Sequence, residues 1–259
     1  LGGQRLSPGN GDELREHREW LLSFVPAVEP FALVDLGCGD GVDLSALAVR
    51  YANPATQLVG VDVSVAATRA AQAFADLDRR IQVICARLDD RLPFDDRAFD
   101  VVYSNNLLEC IGDQSAFVAE VARILHPGGT VVAAHWDWDT QLFDAADRAL
   151  VRRLMEAFAD WQQPWMDHAE PWLGRRLWGL FSAAGRFRGG VHARTLVETT
   201  FAPGSYGYNR AHDLEELVER GTVSADDYER FLSEQRRLDE QRRYFYSLTE
   251  FVYVGQRAS

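Results

Sequence analysis

The chain is poor in cysteine and has no long apolar run. Its 259 residues contain three cysteines, Cys38, Cys85 and Cys110, without any CxxC spacing. Small buried thiols in a reducing compartment are therefore expected, rather than disulfides or cysteine metal ligands. No apolar stretch approaches the roughly 18 residues that a membrane span needs, and no basic-then-apolar leader is present. We expect no membrane partner and a cytoplasmic location, with residues preceding Leu1 in the full-length protein.

Positive charge is also scarce. Lys and Arg number 27 against 39 Asp and Glu, giving a formal net charge of −12. Such a surface repels phosphates, so a nucleic-acid partner is disfavoured, while a neutral or cationic small molecule is compatible with it. The histidines have no companions at metal-ligand spacing, so we predict no metal. A homo-oligomer is left open.

Strand and helix patterns alternate from residue 31 to residue 135. The strands are continuously apolar, which is typical of a parallel sheet covered on both faces. An amphipathic helix at 12–24 precedes them. The predicted strands are 31–36, 57–63, 81–86, 99–104 and 130–135, and the predicted helices are 43–51, 64–77 and 115–125.

The pattern changes after residue 135. Residues 140–185 are expected to be mainly helical, and 203–222 to form a Gly/Tyr-rich loop with a short acidic helix. Strands are predicted at 191–201 and 244–255, with a helix at 224–243 between them. The predicted organisation is an N-terminal arm and helix at 1–30, a cofactor-binding core at 31–139, a substrate cover at 140–222, and a C-terminal helix and strand at 223–259.

Residues 34–41 read Val-Asp-Leu-Gly-Cys-Gly-Asp-Gly, a buried strand that breaks into a glycine-rich turn. Glycine lets a ligand approach the backbone because no Cβ stands in the way. The next strand ends at Asp62, and an acidic side chain at that place can accept hydrogen bonds from a ribose diol. Together these features predict a nucleoside-containing cofactor.

The turn is not that of a dinucleotide site. Its spacing is GxGxG, without the third glycine of GxGxxG. Asp35, Asp40 and Asp43 would oppose a diphosphate, which needs backbone donors and a helix N-terminus. These acids suit a ligand with a cationic amino group better, although a nicotinamide-dependent oxidoreductase stays open as an alternative.

Over about residues 30–136 the chain resembles the class I S-adenosylmethionine-dependent methyltransferases, in the branch of ubiquinone/menaquinone-type and secondary-metabolite enzymes. Besides residues 34–41 and Asp62, the resemblance is carried by 92–96 (LPFDD), 99–102 (FDVV), 104–109 (SNNLLE) and 122–129 (ARILHPGG). It implies an α/β, Rossmann-like sheet of seven strands, mostly parallel with an antiparallel last strand, helices on both faces and a helical insertion after the fifth strand.

The resemblance also implies a site for S-adenosylmethionine, with S-adenosylhomocysteine as product. The glycine turn would contact the methionine part, Asp62 the ribose and Val63 the adenine. The family often has Asp where this chain has Leu88, so either Asp89 or backbone groups would reach the adenine amino group. The implied cofactor-binding residues are Asp35, Gly37, Cys38, Gly39, Asp62, Val63, Leu88, Asp89 and Asn105.

Candidate catalytic and substrate residues follow the fifth predicted strand. Methyl transfer mainly requires alignment, and a base is needed only when the nucleophile is protonated. His135 is the candidate base, and a structural histidine is the alternative. Asp137 is the second catalytic candidate. Trp136 and Trp138 could enclose a cationic amine or pack as ordinary core. Tyr206, on the predicted loop, is a further substrate-binding candidate.

The predicted function is methylation of a small molecule, a secondary metabolite such as one of antibiotic biosynthesis, with N-methylation slightly favoured over O-methylation. The alternatives are a C-methyltransferase and a methyltransferase-fold protein that binds the cofactor without transferring methyl. The N-terminal helix, with Trp20, is expected to close over the cofactor.

Overall fold

The computed structural model describes residues 12–26, 28–88, 91–163, 166 and 169–259. The strands are β1 (Ala32–Leu36), β2 (Gln57–Asp62), β3 (Ile81–Cys85), β4 (Phe99–Asn105), β5 (Leu125–Phe143), β6 (Phe187–Glu198) and β7 (Tyr246–Arg257). The helices are α1 (Asp12–Leu22), α2 (Val42–Arg50), α3 (Val65–Leu77), α4 (Gln114–Ile124), α5 (Arg148–Ala159), α6 (Leu173–Ala184), α7 (Tyr206–Glu219) and α8 (Ala225–Glu240). A 3-10 turn spans Leu108–Cys110.

The strands form one sheet in the order β3-β2-β1-β4-β5-β7-β6. β1 pairs in parallel with both β2 and β4, and β7 is antiparallel. The Rossmann-like α/β fold, its seven strands and its antiparallel last strand are thus confirmed. Strand order reverses between β1 and β4, and open α/β sheets bind ligands beyond the carboxyl ends of the strands at such a switch point.

The chain divides into two compact units. The first, called the motif unit, contains residues 20–135, 174–192 and 251–259. The second, called the aromatic unit, contains residues 136–173 and 193–250 and, within the described part, 12–19. Among the described residues, no helix is long and apolar enough to cross a membrane.

Close packing in the motif unit sets the positions of α2 and α3. A Cβ added at Gly60 of β2 would lie 2.4 Å from Leu44 Cδ1 of α2, so this helix can approach only because residue 60 is glycine. Ser64 accepts a hydrogen bond from the Ala67 N–H and caps α3, as its sequence predicts. These contacts fix the helices that follow the first two strands.

The aromatic unit has its own core. Trp136, Trp138 and Phe143 of β5 are buried in it with Leu154 and Phe158 of α5. Its rings meet mostly at tilted or edge-on angles, the arrangement that aromatic quadrupoles favour. The aromatic residues at 136–143 therefore hold this unit together.

Three local expectations were wrong. β5 does not stop at residue 135 but spans 19 residues, Leu125–Phe143, including part of the segment expected to be helical. Tyr206 does not lie on a loop: it begins α7, where the Ser205 side chain accepts from the Tyr208 N–H. Of the cysteines, which were all expected to be buried, Cys38 is buried, whereas Cys85 is exposed and Cys110 half-buried.

Candidate cofactor site

The glycine turn follows β1 and is tied to β2 by backbone hydrogen bonds. The N–H groups of Gly37 and Cys38 both donate to the Val61 carbonyl oxygen, at 2.8 and 3.0 Å. Gly37 has a φ of +82°, a left-handed conformation that glycine adopts without steric cost. The turn therefore presents its backbone at the carboxyl end of β1.

Asp62, at the end of β2, is held in place by that turn and by the start of α3. Its Oδ2 accepts from the Gly39 N–H at 3.0 Å, and its Oδ1 accepts from the Ser64 N–H at 2.8 Å. A carboxylate has about four lone-pair positions, and Asp62 is buried, with 4% of its surface exposed. This arrangement fits a ligand that carries two neighbouring hydroxyl groups.

A second carboxylate, Asp35, is buried beside the turn. Burial raises the pKa of Asp35 well above its usual range, and the charges of Asp43 and Asp62 raise it further. Asp43 itself accepts hydrogen bonds from the Tyr103 hydroxyl at 2.8 Å and the Asn105 side-chain amide at 3.5 Å. These mutually repelling acids favour a positively charged ligand and oppose a diphosphate.

Asp43 and Tyr103 are absent from the residues predicted for this site. Asp43 was noted only as an acid flanking the turn, and Tyr103 looked like an ordinary strand residue. Tyr103 lies next to Asp35 in the register of β1 and β4, which is a long-range pairing that local patterns do not show.

The residues predicted to hold adenine differ in their surroundings. Val63 is 49% exposed and directly follows Asp62, so its side chain is available to a flat ring. Leu88 is buried, with 5% of its surface exposed. Asp89 lies outside the described residues. Only Val63 of these three is seen to offer a surface next to Asp62.

His135 is the last residue of β5 within the motif unit and is fully buried. Its Nε2 lies 3.7 Å from Glu109 Oε2 of the 3-10 turn, which is close enough for charge attraction but longer than a hydrogen bond. Asn105 and Ala134 are register partners, so the end of β4 lies beside β5 one residue before His135. The arrangement places a buried carboxylate beside the candidate base.

The other candidates lie in the aromatic unit. Trp136 stacks on His17 with ring centroids 4.7 Å apart and also meets Tyr206 at 5.3 Å. Trp138 meets Phe158 edge-on at 5.4 Å, and Asp137 is fully buried. These contacts give both tryptophans a packing role, and their part in substrate binding stays a prediction.

No group of three or more His, Cys, Asp or Glu in the described part of the chain could hold a metal ion.

Residues 34–133 match the methyltransferase domain family. For this segment, the match confirms the resemblance to the class I S-adenosylmethionine-dependent methyltransferases seen in the sequence. The match covers the glycine turn, Asp62 and the β4 segment, but neither the end of β5 nor any of the aromatic unit.

Similar curated proteins include two named methyltransferases. Trans-aconitate 2-methyltransferase of Methylobacterium radiotolerans is 26% identical over 181 residues, which is 62% of this chain and 67% of that protein. Malonyl-[acyl-carrier protein] O-methyltransferase of a Methylovorus species is 31% identical over 135 residues, 49% of this chain and 44% of that protein. The chain thus spans about half the length of the curated relatives that it matches.

Among solved structures, the [4+2]-cyclase SpnF superposes with a TM-score of 0.62 at 16% identity, covering 99% of this chain and 89% of that one. At this identity the likeness shows a shared fold.

Proposed function

We propose that this chain transfers a methyl group from S-adenosylmethionine to a small molecule. The observation that carries the proposal is the Asp62 carboxylate, oriented by the Gly39 and Ser64 N–H groups within a segment that matches the methyltransferase domain. The acids around Asp35 add a preference for a cationic cofactor over a diphosphate.

The residues of the motif unit fit S-adenosylmethionine. Asp62 would bind the ribose hydroxyls, the backbone of the glycine turn would line the methionine part, and Val63 would cover the adenine. When bound, this cofactor supplies a methyl group activated by a sulfonium. The protein then has to orient the acceptor and exclude water.

His135 is the proposed proton acceptor for a nucleophile that is protonated at neutral pH. Glu109 Oε2 lies 3.7 Å from His135 Nε2, so a carboxylate lies beside the proposed base. Asp137, two residues later in β5, stays a second catalytic candidate.

The acceptor atom is the finer part of the proposal. The acidic, tryptophan-rich residues 136–139 support nitrogen, whereas one of the relatives is by its name an O-methyltransferase. Secondary metabolism, antibiotic biosynthesis and a homo-oligomeric state are proposals of the same kind, as is closure of the N-terminal helix over the cofactor.

Two measurements test the proposal in turn. Calorimetry with S-adenosylhomocysteine and with NAD should show binding of the first alone; binding of NAD alone would overturn the cofactor assignment. Turnover is then followed as release of S-adenosylhomocysteine with a panel of amines, phenols and carboxylic acids. Cofactor binding without turnover of any member would favour a protein that uses this fold without methyl transfer.

A variant links His135 to the reaction. His135→Asn should lower kcat about 100-fold for a protonated acceptor, the usual contribution of a positioned base, and leave S-adenosylhomocysteine affinity within twofold. Equal loss of kcat and of cofactor affinity would mean that His135 serves the fold instead.

A further inference from the structure

The aromatic unit contains a cleft of about 650 Å³ between the end of β5 and α5. Its volume lies in the range typical of sites for small organic molecules. Every residue that lines it belongs to the aromatic unit, so the cleft is distinct from the cofactor turn. The lining residues used below include Trp138, Asp144, Arg148, Val151, Arg152, Met155 and Glu156.

The floor of the cleft is apolar and well supported. Trp138, Val151 and Met155 line it and are each at least nine-tenths buried. Phe158 braces the Trp138 ring from the edge, at a centroid distance of 5.4 Å. A floor of this kind takes up a ring or a short hydrocarbon chain.

The rim carries two arginines one helical turn apart. Arg148 and Arg152 are exposed, line the cleft, and form no ion pair within the described residues. Arg153 of the same helix, which does not line the cleft, pairs with Asp227 at 3.2 Å. Arg148 is also the first residue of α5, where the helix dipole is positive. The two cleft arginines are therefore available to an anion.

The rim also limits how much negative charge a ligand can carry. Asp139, Asp144 and Glu156 line the same cleft as the two arginines. A second anionic group would meet these acids, whereas a single carboxylate can pair with a guanidinium in two parallel hydrogen bonds.

We propose that this cleft binds a small monocarboxylate with an aromatic or apolar body. The body lies on Trp138 and Met155, and the carboxylate pairs with Arg148 and Arg152. This binding does not depend on methyl transfer, and the bound molecule is either the methyl acceptor or a separate ligand.

Calorimetry of the full chain with 3-phenylpropanoate tests the proposal. The control ligand is 3-phenylpropanamide, which has the same shape but no negative charge. We expect saturable binding of the acid and at least roughly tenfold weaker binding of the amide. The double variant R148Q/R152Q should lose about tenfold in affinity for the acid. The control R236Q, an exposed α8 arginine outside the cleft, should change it less than twofold.

S-adenosylhomocysteine affinity is measured on each variant to show that the motif unit is intact. If S-adenosylhomocysteine binds but the acid does not, this proposal fails while the cofactor assignment under the proposed function stands. Equal affinity for acid and amide, undiminished binding by R148Q/R152Q, or no saturable binding at millimolar concentrations would each overturn the site. Turnover of the bound acid would identify it as the acceptor.

Discussion

The two units hold their buried carboxylates by different means. In the aromatic unit, Glu250 lies 2.7 Å from His17 Nε2, and Glu198 accepts the backbone N–H groups of Tyr206 and Gly207 at 2.7 Å each. In the motif unit, burial raises the pKa of Asp35, and the charges of Asp43 and Asp62 raise it further.

This contrast separates Glu198 and Glu250, which have donors, from Asp35. Asp62 of the motif unit combines both situations, because two backbone N–H groups hold it while its charge raises the pKa of Asp35. A buried carboxylate with a donor at hydrogen-bond distance stabilises the element that supplies the donor. Acids that repel one another lower stability in the free chain until one of them keeps a proton or a cation binds beside them, which is a pattern expected at a ligand site. Four substitutions test the contrast, from the largest expected effect to the smallest.

His17→Ala should cost the most. It leaves Glu250 buried without its partner at 2.7 Å and also removes the stack on Trp136, so we expect a loss of about 3–5 kcal/mol in unfolding free energy by urea titration. Arg15→Ala is the control on the same helix, because its pair with Asp12 is exposed and worth about 0–1 kcal/mol. Similar losses for the two variants would show that the buried pair is not structural.

Gly41→Ala should cost about 3 kcal/mol. Its φ of +82° is unfavourable for alanine, and the added Cβ would lie 2.8 Å from the Ala71 Cβ. Gly221 in the aromatic unit has a similar φ of +74°, but an added Cβ would meet no atom within 4 Å. Gly221→Ala therefore measures the backbone cost alone, a loss of about 1 kcal/mol in unfolding free energy. Equal losses in chemical denaturation would contradict tight packing of the cofactor turn on α3.

Asp62→Asn should weaken S-adenosylhomocysteine binding about 10- to 100-fold in calorimetry. The amide replaces one acceptor oxygen by a donor, which opposes both the backbone N–H groups and the ribose hydroxyls. Asp40→Asn, an exposed acid in the same turn, should change affinity less than twofold. Unchanged binding by D62N would remove Asp62 from the site.

Asp35→Asn should stabilise the free chain at neutral pH. Because the pKa of Asp35 is raised on folding, the folded chain keeps a proton that the unfolded chain releases near its ordinary value of about 4. The wild type therefore loses stability as the pH rises from the pKa of Asp35 in the unfolded chain to its higher pKa in the folded chain. D35N, which has no carboxyl group at this position, does not show this loss.

At about pH 8 we expect D35N to melt above the wild type, by roughly 2–4 °C for each kcal/mol of unfolding free energy gained. Near pH 4 the two melting temperatures should be equal. Calorimetric melting at several pH values measures this. A difference independent of pH would mean that the charge of Asp35 is not the cause.

The sequence predicts the motif unit well because its signals are local. Strands β1 to β4 are short apolar runs. Ser64 caps α3 by accepting the N–H of Ala67, only three residues further along the chain. The register that brings Tyr103 next to Asp35 is a long-range property, so the hydrogen bond from Tyr103 to Asp43 could not be predicted.

The aromatic unit was predicted less well because distant residues set its elements. Gln141 looks like a surface residue, yet it is buried in β5 and accepts the Tyr246 hydroxyl at 3.0 Å. Glu198, at the end of β6, caps the start of α7 at Tyr206 and Gly207, where the glycines suggested a loop. Partners far along the chain stabilise structures that the local pattern disfavours.

The exposure of Cys85 gives the chain a natural chemical reporter. It is the one exposed thiol of the three, and it stands opposite Asp62 in the register of β2 and β3. A thiol-reactive dye can therefore be attached beside the carboxylate proposed to hold the ribose, without introducing a new cysteine. The rate of that alkylation, followed with and without ligand, would report on occupancy in the unaltered protein.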